Sequence, residues 1–205
     1  MTIGKRLMDI VLALLLAVLL APVIIGLALA VLVIDGRPVF FGSLRARSPG
    51  QNFRLWKLRT MTNDSADAGV TGGDKQQRIT RMGGFLRRTR LDEFPQLWNI
   101  LKGDISFVGP RPPLPRYVEM FPETYAKVLK SRPGVTGLAT LAYHKTEENL
   151  LKSCQTAEET EAVYVCRCIP RKAQIDLLYA KNRTLCSDLV LILVTGGGRR
   201  WWRKR

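Results

Sequence analysis

Between Ile10 and Ile34 the chain runs for 25 residues without a charge, almost entirely on Leu, Val, Ala and Ile. About 20 such residues are enough for a helix to reach across a hydrocarbon core, so the run predicts a membrane helix. Beyond it the pattern shortens. Val39 to Phe41 and Phe53 to Leu58 read as short strands around the turn Arg47-Ser48-Pro49-Gly50. Thr62 to Gln77 is polar and glycine-containing, and reads as a mobile loop. Ile79, Met82, Phe85 and Leu86 recur at helical spacing, predicting a basic helix over Ile79–Arg88.

Phe94, Leu97, Trp98 and Leu101 follow as i, i+3, i+4 and i+7, predicting a helix with one apolar face. Pro95 is tolerated only in a first turn, which places the helix start near Asp92 and makes Asp92 its cap. Asp92 and Glu93 are then adjacent carboxylates at the positive end of a helix. That setting favours the ionised forms and suits a nucleophile or a Mg²⁺ ligand. Acidic residues at helix starts also serve stability alone, so the pair is a candidate and not yet a site.

Further helices are predicted over Arg116–Lys130, Glu147–Glu161 and Lys172–Lys181. In the first, Tyr117, Phe121 and Tyr125 share a face for a core or a membrane interface. The second reads as solvated, and Asp176 in the third as half of a surface ion pair. Leu185 to Thr195 is apolar but too short to span, so it is an interfacial or a core helix. The end, Arg199-Arg200-Trp201-Trp202-Arg203-Lys204-Arg205, joins adjacent tryptophans to cations, as at a headgroup layer, or is a disordered basic tail.

The flanks of the apolar run bear on its topology. Lys5 and Arg6 precede it, while Arg37, Arg45 and Arg47 follow it. Positive charge prefers the cytoplasmic side, so a plain span would put one cluster on the wrong side. A helix that enters, bends and returns keeps both clusters inside, and Pro22 offers a cause for the bend. From these residues alone both topologies stand. A secretory signal fits less well, because the run is long and shows no evident small-x-small cleavage site.

The 205 residues amount to one ordinary domain, and a net charge of +15 asks for an anionic partner: nucleic acid, anionic lipid or a phosphorylated substrate. Cys154, Cys166, Cys168 and Cys186 lack the paired spacing of a zinc site and read as reduced thiols. The single His144 reads as a polar surface or loop residue. Downstream of the carboxylates stand Lys102-Gly103-Asp104, Gly109-Pro110-Arg111-Pro112-Pro113 and Arg132-Pro133-Gly134-Val135-Thr136-Gly137. These are rigid turns carrying cations, and arginine grips phosphate with a planar fork of donors. No P-loop or dinucleotide fingerprint occurs. Carboxylates among arginine turns beside a membrane segment suggest a phosphorylated substrate and a lipid in one site.

Across nearly its whole length the chain resembles the small monotopic phosphoglycosyl transferases, the bacterial sugar transferases that load polyprenyl phosphate. Lys5-Arg6-Leu7-Met8-Asp9, the Pro22 segment, Lys57-Leu58-Arg59-Thr60-Met61, Arg78-Ile79-Thr80-Arg81-Met82-Gly83, Leu91-Asp92-Glu93-Phe94-Pro95-Gln96-Leu97, Lys102 to Pro112 and Arg132 to Gly137 occur in the family's order. Asp176, Tyr179, Asn182 and Asp188 match its C-terminal pattern. The resemblance implies an α-rich α+β fold. A re-entrant, Pro22-kinked membrane segment (1–36) would join a compact cytoplasmic catalytic domain (37–195) with interfacial helices and short strands, followed by a basic tail (196–205).

It further implies a monotopic enzyme of the bacterial inner membrane, facing the cytoplasm. Asp92 would take a phosphosugar from a UDP-sugar and release UMP, and undecaprenyl phosphate would then accept it, initiating a membrane glycan such as an exopolysaccharide or lipopolysaccharide. Glu93 would assist, and Mg²⁺ would bind at Asp92 and Glu93. Lys57, Arg59, Arg87, Arg111 and Arg132 are the expected phosphate-binding cations. Anionic phospholipid is expected as a partner and nucleic acid is not; the oligomeric state, a homo-oligomer included, stays open. The implied member is a small one, without the multi-span region that precedes this unit in larger ones. Two departures stand out: Ala21 precedes Pro22 where serine is common, and Leu138 to Ile169 is divergent. A basic membrane-bound nucleic-acid-binding protein explains the charge but not the ordered motifs. A noncatalytic scaffold derived from the transferase must account for the retained Asp92 and Glu93.

Overall fold

The structure, a computed structural model, describes residues 1–62 and 77–197. The loop expected at Thr62–Gln77, apart from its end residues, and the Trp201-Trp202 tail lie outside those residues.

Helix α1 runs from Ile3 to Ile34, capped by the Thr2 hydroxyl, and continues through Pro22. It is long and apolar enough to cross a membrane, and only 6% of its most apolar stretch is buried by protein. A soluble core helix would be covered. Both ends of α1 nevertheless dock on the same domain. Near the start, Ala13 packs with Ile100, Ile105 and Leu191, and the Arg6 guanidinium donates to the carbonyls of Ile100 (2.6 Å) and Leu101 (2.7 Å). Near the end, Val31 packs against Leu58 and Leu86. The exposed middle presents Leu14, Leu15, Val18, Leu19, Val23 and Ile25.

An antiparallel hairpin follows, β1 (Phe40–Ser48) with β2 (Gln51–Leu58), bulged between Ala46 and Ser48. The expected short strand at Val39–Phe41 is thus the start of a longer one. Pairing with β2 carries it through polar residues that period alone does not mark as strand. Helix α2 (Arg81–Thr89) is capped by Thr80, whose hydroxyl accepts from the Gly83 amide at 3.0 Å. Helix α3 covers Gln96–Lys102. Its buried residues are Gln96, Asn99 and Ile100, while Trp98 on the predicted apolar stripe is exposed. Leu97 and Leu101 of that stripe pack into the cluster that includes Ala13 of α1.

The two glycine-proline turns form one object. Strands β3 (Ser106–Val108) and β4 (Gly134–Thr136) pair in parallel, and the turns that extend them are laced backbone to backbone. The Gly109 amide donates to Thr136 O and the Gly134 amide to Pro110 O, both at 2.9 Å. A Cβ on Gly109 would fall 2.1 Å from Arg132 O, so the close approach requires glycine.

The helix expected over Arg116–Lys130 is two, α4 (Pro115–Met120) and α5 (Pro122–Val128). Pro122 forces Phe121 out of helical geometry, to φ −128 and ψ 59. Tyr117 and Tyr125 are buried, which places that aromatic face in the core. The helix expected at Glu147–Glu161 is also broken, between α6 (Leu138–Lys152) and α7 (Ala157–Val163), where Thr156 caps α7 by accepting from Glu159 N. A π turn, Tyr164–Cys168, leads into α8 (Ile169–Asn182), and α9 spans Leu185–Gly196. One face of α9 is core, through Leu191 and Val194; the other exposes Leu189, Val190 and Leu193.

Candidate active site

The dyad stands on a turn, not on a helix cap. Arg90 ends α2 in the left-handed region (φ 62), the only positive-φ residue other than glycine among those described. A side chain in that region is strained, by about 1 kcal/mol. A 3-10 turn, Leu91–Glu93, follows, and Pro95 then leads into α3. A cap residue needs extended backbone and a reach to the second or third helical amide. Asp92 has neither, because α3 begins only at Gln96, so the expected cap is corrected to a free side chain.

This bears on its acidity. Burial pushes the Asp92 carboxyl up; Lys57 and Arg87 pull against this and Glu93 adds to it. Burial would raise Glu93 too, but Lys57, Arg111 and Arg90 outweigh it and hold Glu93 down to about 2. The same surroundings thus move the two carboxyls in opposite directions, Glu93 down and Asp92 up. Glu93 Oε1 lies 3.4 Å from Lys57 Nζ and 3.6 Å from Arg111 Nη2. Asp92 Oδ1 is buried with no hydrogen-bond partner among the described residues.

Asn99 fixes the distance between the dyad and Lys57. Its Oδ1 accepts from the Trp56 amide at 3.1 Å, and its Nδ2 donates to Arg54 O at 2.8 Å, pinning β2 beside α3. Arg87 is aimed by Thr60, whose hydroxyl accepts from Nε at 3.1 Å.

These groups line a cavity of about 600 Å³, large enough for a drug-sized or nucleotide-sized ligand. One wall carries Asp92 and Glu93 with five cations: Arg45, Lys57, Arg87, Arg90 and Arg111. The facing wall comes from α6 and α8, with His144, Glu147, Glu148, Lys172 and Asp176. Lys172 Nζ lies 3.0 Å from Glu147 Oε1 and 5.2 Å from the centre of the Tyr164 ring. Burial pushes the Asp176 carboxyl up to about 7, against Lys172 and a bond from the Ala139 amide.

Of the expected phosphate-binding cations, Lys57, Arg87 and Arg111 meet at this cavity. Arg59 and Arg132 do not line it. Arg59 is spent on the end of α1, donating to the carbonyls of Asp35 (2.5 Å) and Gly36 (2.8 Å). Arg132 is turned by the paired glycine turns toward Gly103 and Arg6, away from Arg111. His144, read as a surface or loop residue, lies on α6 and bonds through Nε2 to Arg90. Arg45 and Glu147 were not singled out as site residues, and neither stands in a turn or a paired motif that would mark it. Cys154 and Cys168 are buried and free, while Cys166 and Cys186 are exposed.

Among the described residues no three His, Cys, Asp or Glu side chains converge to hold a metal by themselves. The orphaned Asp92 Oδ1, an oxygen donor beside a second carboxylate, fits a hard divalent cation completed by substrate oxygens.

A long, largely uncovered apolar helix, a mostly helical domain with two small sheets, and a carboxylate pair ringed by arginines define the class. The chain belongs to the bacterial sugar transferase family, whose profile matches residues 1–198. Two UDP-glucose:undecaprenyl-phosphate glucose-1-phosphate transferases are similar to it, at 33% identity (Klebsiella pneumoniae) and 38% identity (Escherichia coli strain K12). Each match covers 93% of this chain and 39% of the relative, so the chain spans well under half the length of those proteins. The exopolysaccharide production protein ExoY of Sinorhizobium fredii is 31% identical over 94% of this chain and 84% of its own length.

Proposed function

We propose that this protein transfers a sugar-1-phosphate from a UDP-sugar to undecaprenyl phosphate through a phosphosugar carried on Asp92. The observation that carries the proposal is Asp92 itself: a buried carboxylate with an unpartnered oxygen, in a nucleotide-sized cavity ringed by cations. Two of the relatives named above, those of Klebsiella pneumoniae and Escherichia coli, are named for UDP-glucose and undecaprenyl phosphate, which supports the choice of donor and acceptor.

Asp92 Oδ attacks the sugar-side phosphorus. The bond from that phosphorus to the bridging oxygen breaks, its electron pair leaves on UMP, and the phosphosugar stays on Asp92. An oxygen of the acceptor phosphate then attacks the same phosphorus. The Asp92–phosphorus bond breaks, the carboxylate returns, and a polyprenyl-diphosphate-linked sugar departs. The obstacle is charge: two like charges 4 Å apart repel by roughly 4 kcal/mol at an effective dielectric of about 20. Lys57, Arg87 and Arg111 stand where they offset it. Glu93 holds Lys57 and Arg111 in place between turnovers. Mg²⁺, held by Asp92 and Glu93 with the diphosphate, would neutralise phosphate charge.

We further read α1 as re-entrant. Its two ends dock on one domain, through Arg6 on α3 and through Val31 against Leu58 and Leu86, which supports entry and exit on the same membrane face. Exposed Trp98 on α3, the helix that follows the dyad in the chain, then sits at headgroup depth, where the acceptor phosphate resides.

Incubating the purified protein with Mg²⁺ and single UDP-sugars, followed by intact mass and peptide mapping, tests the reaction. A phosphosugar adduct on Asp92, discharged by undecaprenyl phosphate, is expected. An adduct on another residue, or turnover without one, overturns the mechanism.

A further inference from the structure

We infer that Arg45 is the second guanidinium of a split phosphate clamp, holding the nucleotide-side phosphate that leaves as UMP while Arg111 spans the diphosphate. The inference rests on the donor reading above and adds a residue to it.

The geometry begins with strand β1. Arg45 Nη1 donates to Pro112 O at 3.2 Å, and the next residue's amide, Ala46 N, donates to Pro113 O at 2.9 Å. The Gly109–Pro113 turn is thereby stitched to β1, which sets Arg111 beside Arg45 on one cavity wall. Arg45 Nε donates to Ser43 Oγ at 3.1 Å. Two of its three nitrogens are thus used for aim, and Nη2 remains for a ligand. Burial, then Arg111, press the Arg45 guanidinium down to about 10, as expected for two cations packed together.

Charge accounting supports an anion there. On the wall that carries Asp92 and Glu93 the cations Arg45, Lys57, Arg87, Arg90 and Arg111 outnumber the carboxylates, and Glu93 is ion-paired to Lys57 and Arg111 while Arg45 has no such pair among the described residues. That excess of positive charge favours an anionic ligand beside Arg45. The order along the clamp follows from the neighbours. Arg111 Nη2 reaches the dyad, 3.6 Å from Glu93 Oε1. Arg45 makes no ion pair with Asp92 or Glu93 among the described residues and bonds instead to Ser43 and Pro112. The sugar-side phosphorus must meet Asp92, so Arg45 serves the phosphate one step further out. Charge grows on that phosphate as UMP leaves, and a fork of donors already aimed at it stabilises the departure.

The test uses UMP, with uridine as the phosphate-free control. In the wild-type protein, an arginine-specific dicarbonyl reagent read by peptide mapping should modify Arg45, and UMP but not uridine should protect it. Arg45→Lys and Arg45→Met should bind UMP about tenfold or more weakly, with uridine unchanged. UMP protecting Arg111 alone, or a folded Arg45→Met that binds UMP as the wild type does, overturns the inference. If both variants unfold, the wild-type protection pattern decides. Protection of Arg45 without any adduct from a UDP-sugar would sink the transfer reaction and leave the phosphate site standing.

Discussion

The Lys5 ammonium lies 2.7 Å from the Asp188 carboxylate, with the two side chains 1% and 0% exposed. Tyr179 donates to the other Asp188 oxygen at 2.7 Å, so one carboxylate ties the start of α1 to α8 and α9. Removing one partner strands a buried charge, at a cost of about 3–5 kcal/mol. Lys5→Met should lose that much stability in detergent. Lys5→Met with Asp188→Leu should recover most of it. Denaturant titration of the three proteins checks this; equal losses in the single and double variants would remove the pair from the account.

The docking of both ends of α1 on one domain predicts a shared membrane side. Ile3→Cys and Arg37→Cys, each in a chain with its native cysteines replaced, should react with an impermeant maleimide only from the cytoplasmic side of oriented vesicles. Labelling from opposite sides would establish a plain span.

Asp92→Asn should abolish the adduct while leaving membrane attachment and thermal stability close to wild type. Removing a carboxylate beside a diphosphate also relieves repulsion, so UDP-sugar binding measured without Mg²⁺ should stay equal or tighten. Intact mass and calorimetric titration read the two effects separately. A loss of donor affinity matching the loss of adduct would make Asp92 a binding group and not the nucleophile.

Asn99→Ala should cost about 1–3 kcal/mol, because Asn99 is 1% exposed and the Trp56 amide and Arg54 carbonyl lose their shared partner. Adduct formation should slow as well, since β2 carries Lys57 to Glu93. Asn99→Asp retains the acceptor for Trp56 but loses the donor to Arg54 and sets a carboxylate against Asp104, whose Oδ2 now accepts from Asn99 Nδ2 at 3.0 Å, so it should do no better than Asn99→Ala. Stability loss without any rate change would detach Asn99 from the site.

Asp176 predicts a pH dependence. Its folded pKa is raised to about 7 by burial, against an unfolded value near 3.8. Lys172, one turn earlier, and Tyr125 from α5 face it, and the Ala139 amide donates to it. Between these values the folded protein binds the extra proton, so the stability from the neutral form is complete below about pH 4 and lost as pH rises through about 7. Asp176→Asn cannot ionise, so its melting temperature relative to wild type should climb from pH 5 to pH 8. A constant difference across that range would contradict the burial of the charge.

Much of this protein was legible where the cause is local. The uncharged run, the helical spacing at Met82 and Leu86 and the Leu91-Asp92-Glu93-Phe94-Pro95 motif are each set by a few neighbouring residues, whereas the Thr80 cap, which starts α2 after Ile79, emerged only in the structure. Splits such as Phe121–Pro122 were readable in principle from the proline, yet the shared face of Tyr117, Phe121 and Tyr125 concealed the break.

The order of residues by itself determined a helix long and apolar enough for a membrane, a basic α-rich domain and a carboxylate pair followed by arginine turns, because hydrophobic period, backbone-restricting residues and charge act over a turn or two of chain. Tertiary structure decided which cations reach that pair. Arg111 and Arg132 stand in similar glycine-proline turns, and only the close pairing of Gly109 with the Gly134 strand sends one to the cavity and the other away. It also brought in Arg45 from β1 and the α6–α8 wall, and it buried Asp92 enough to raise its pKa. Burial and long-range backbone contact set those outcomes, and neither is a property of spacing along the chain.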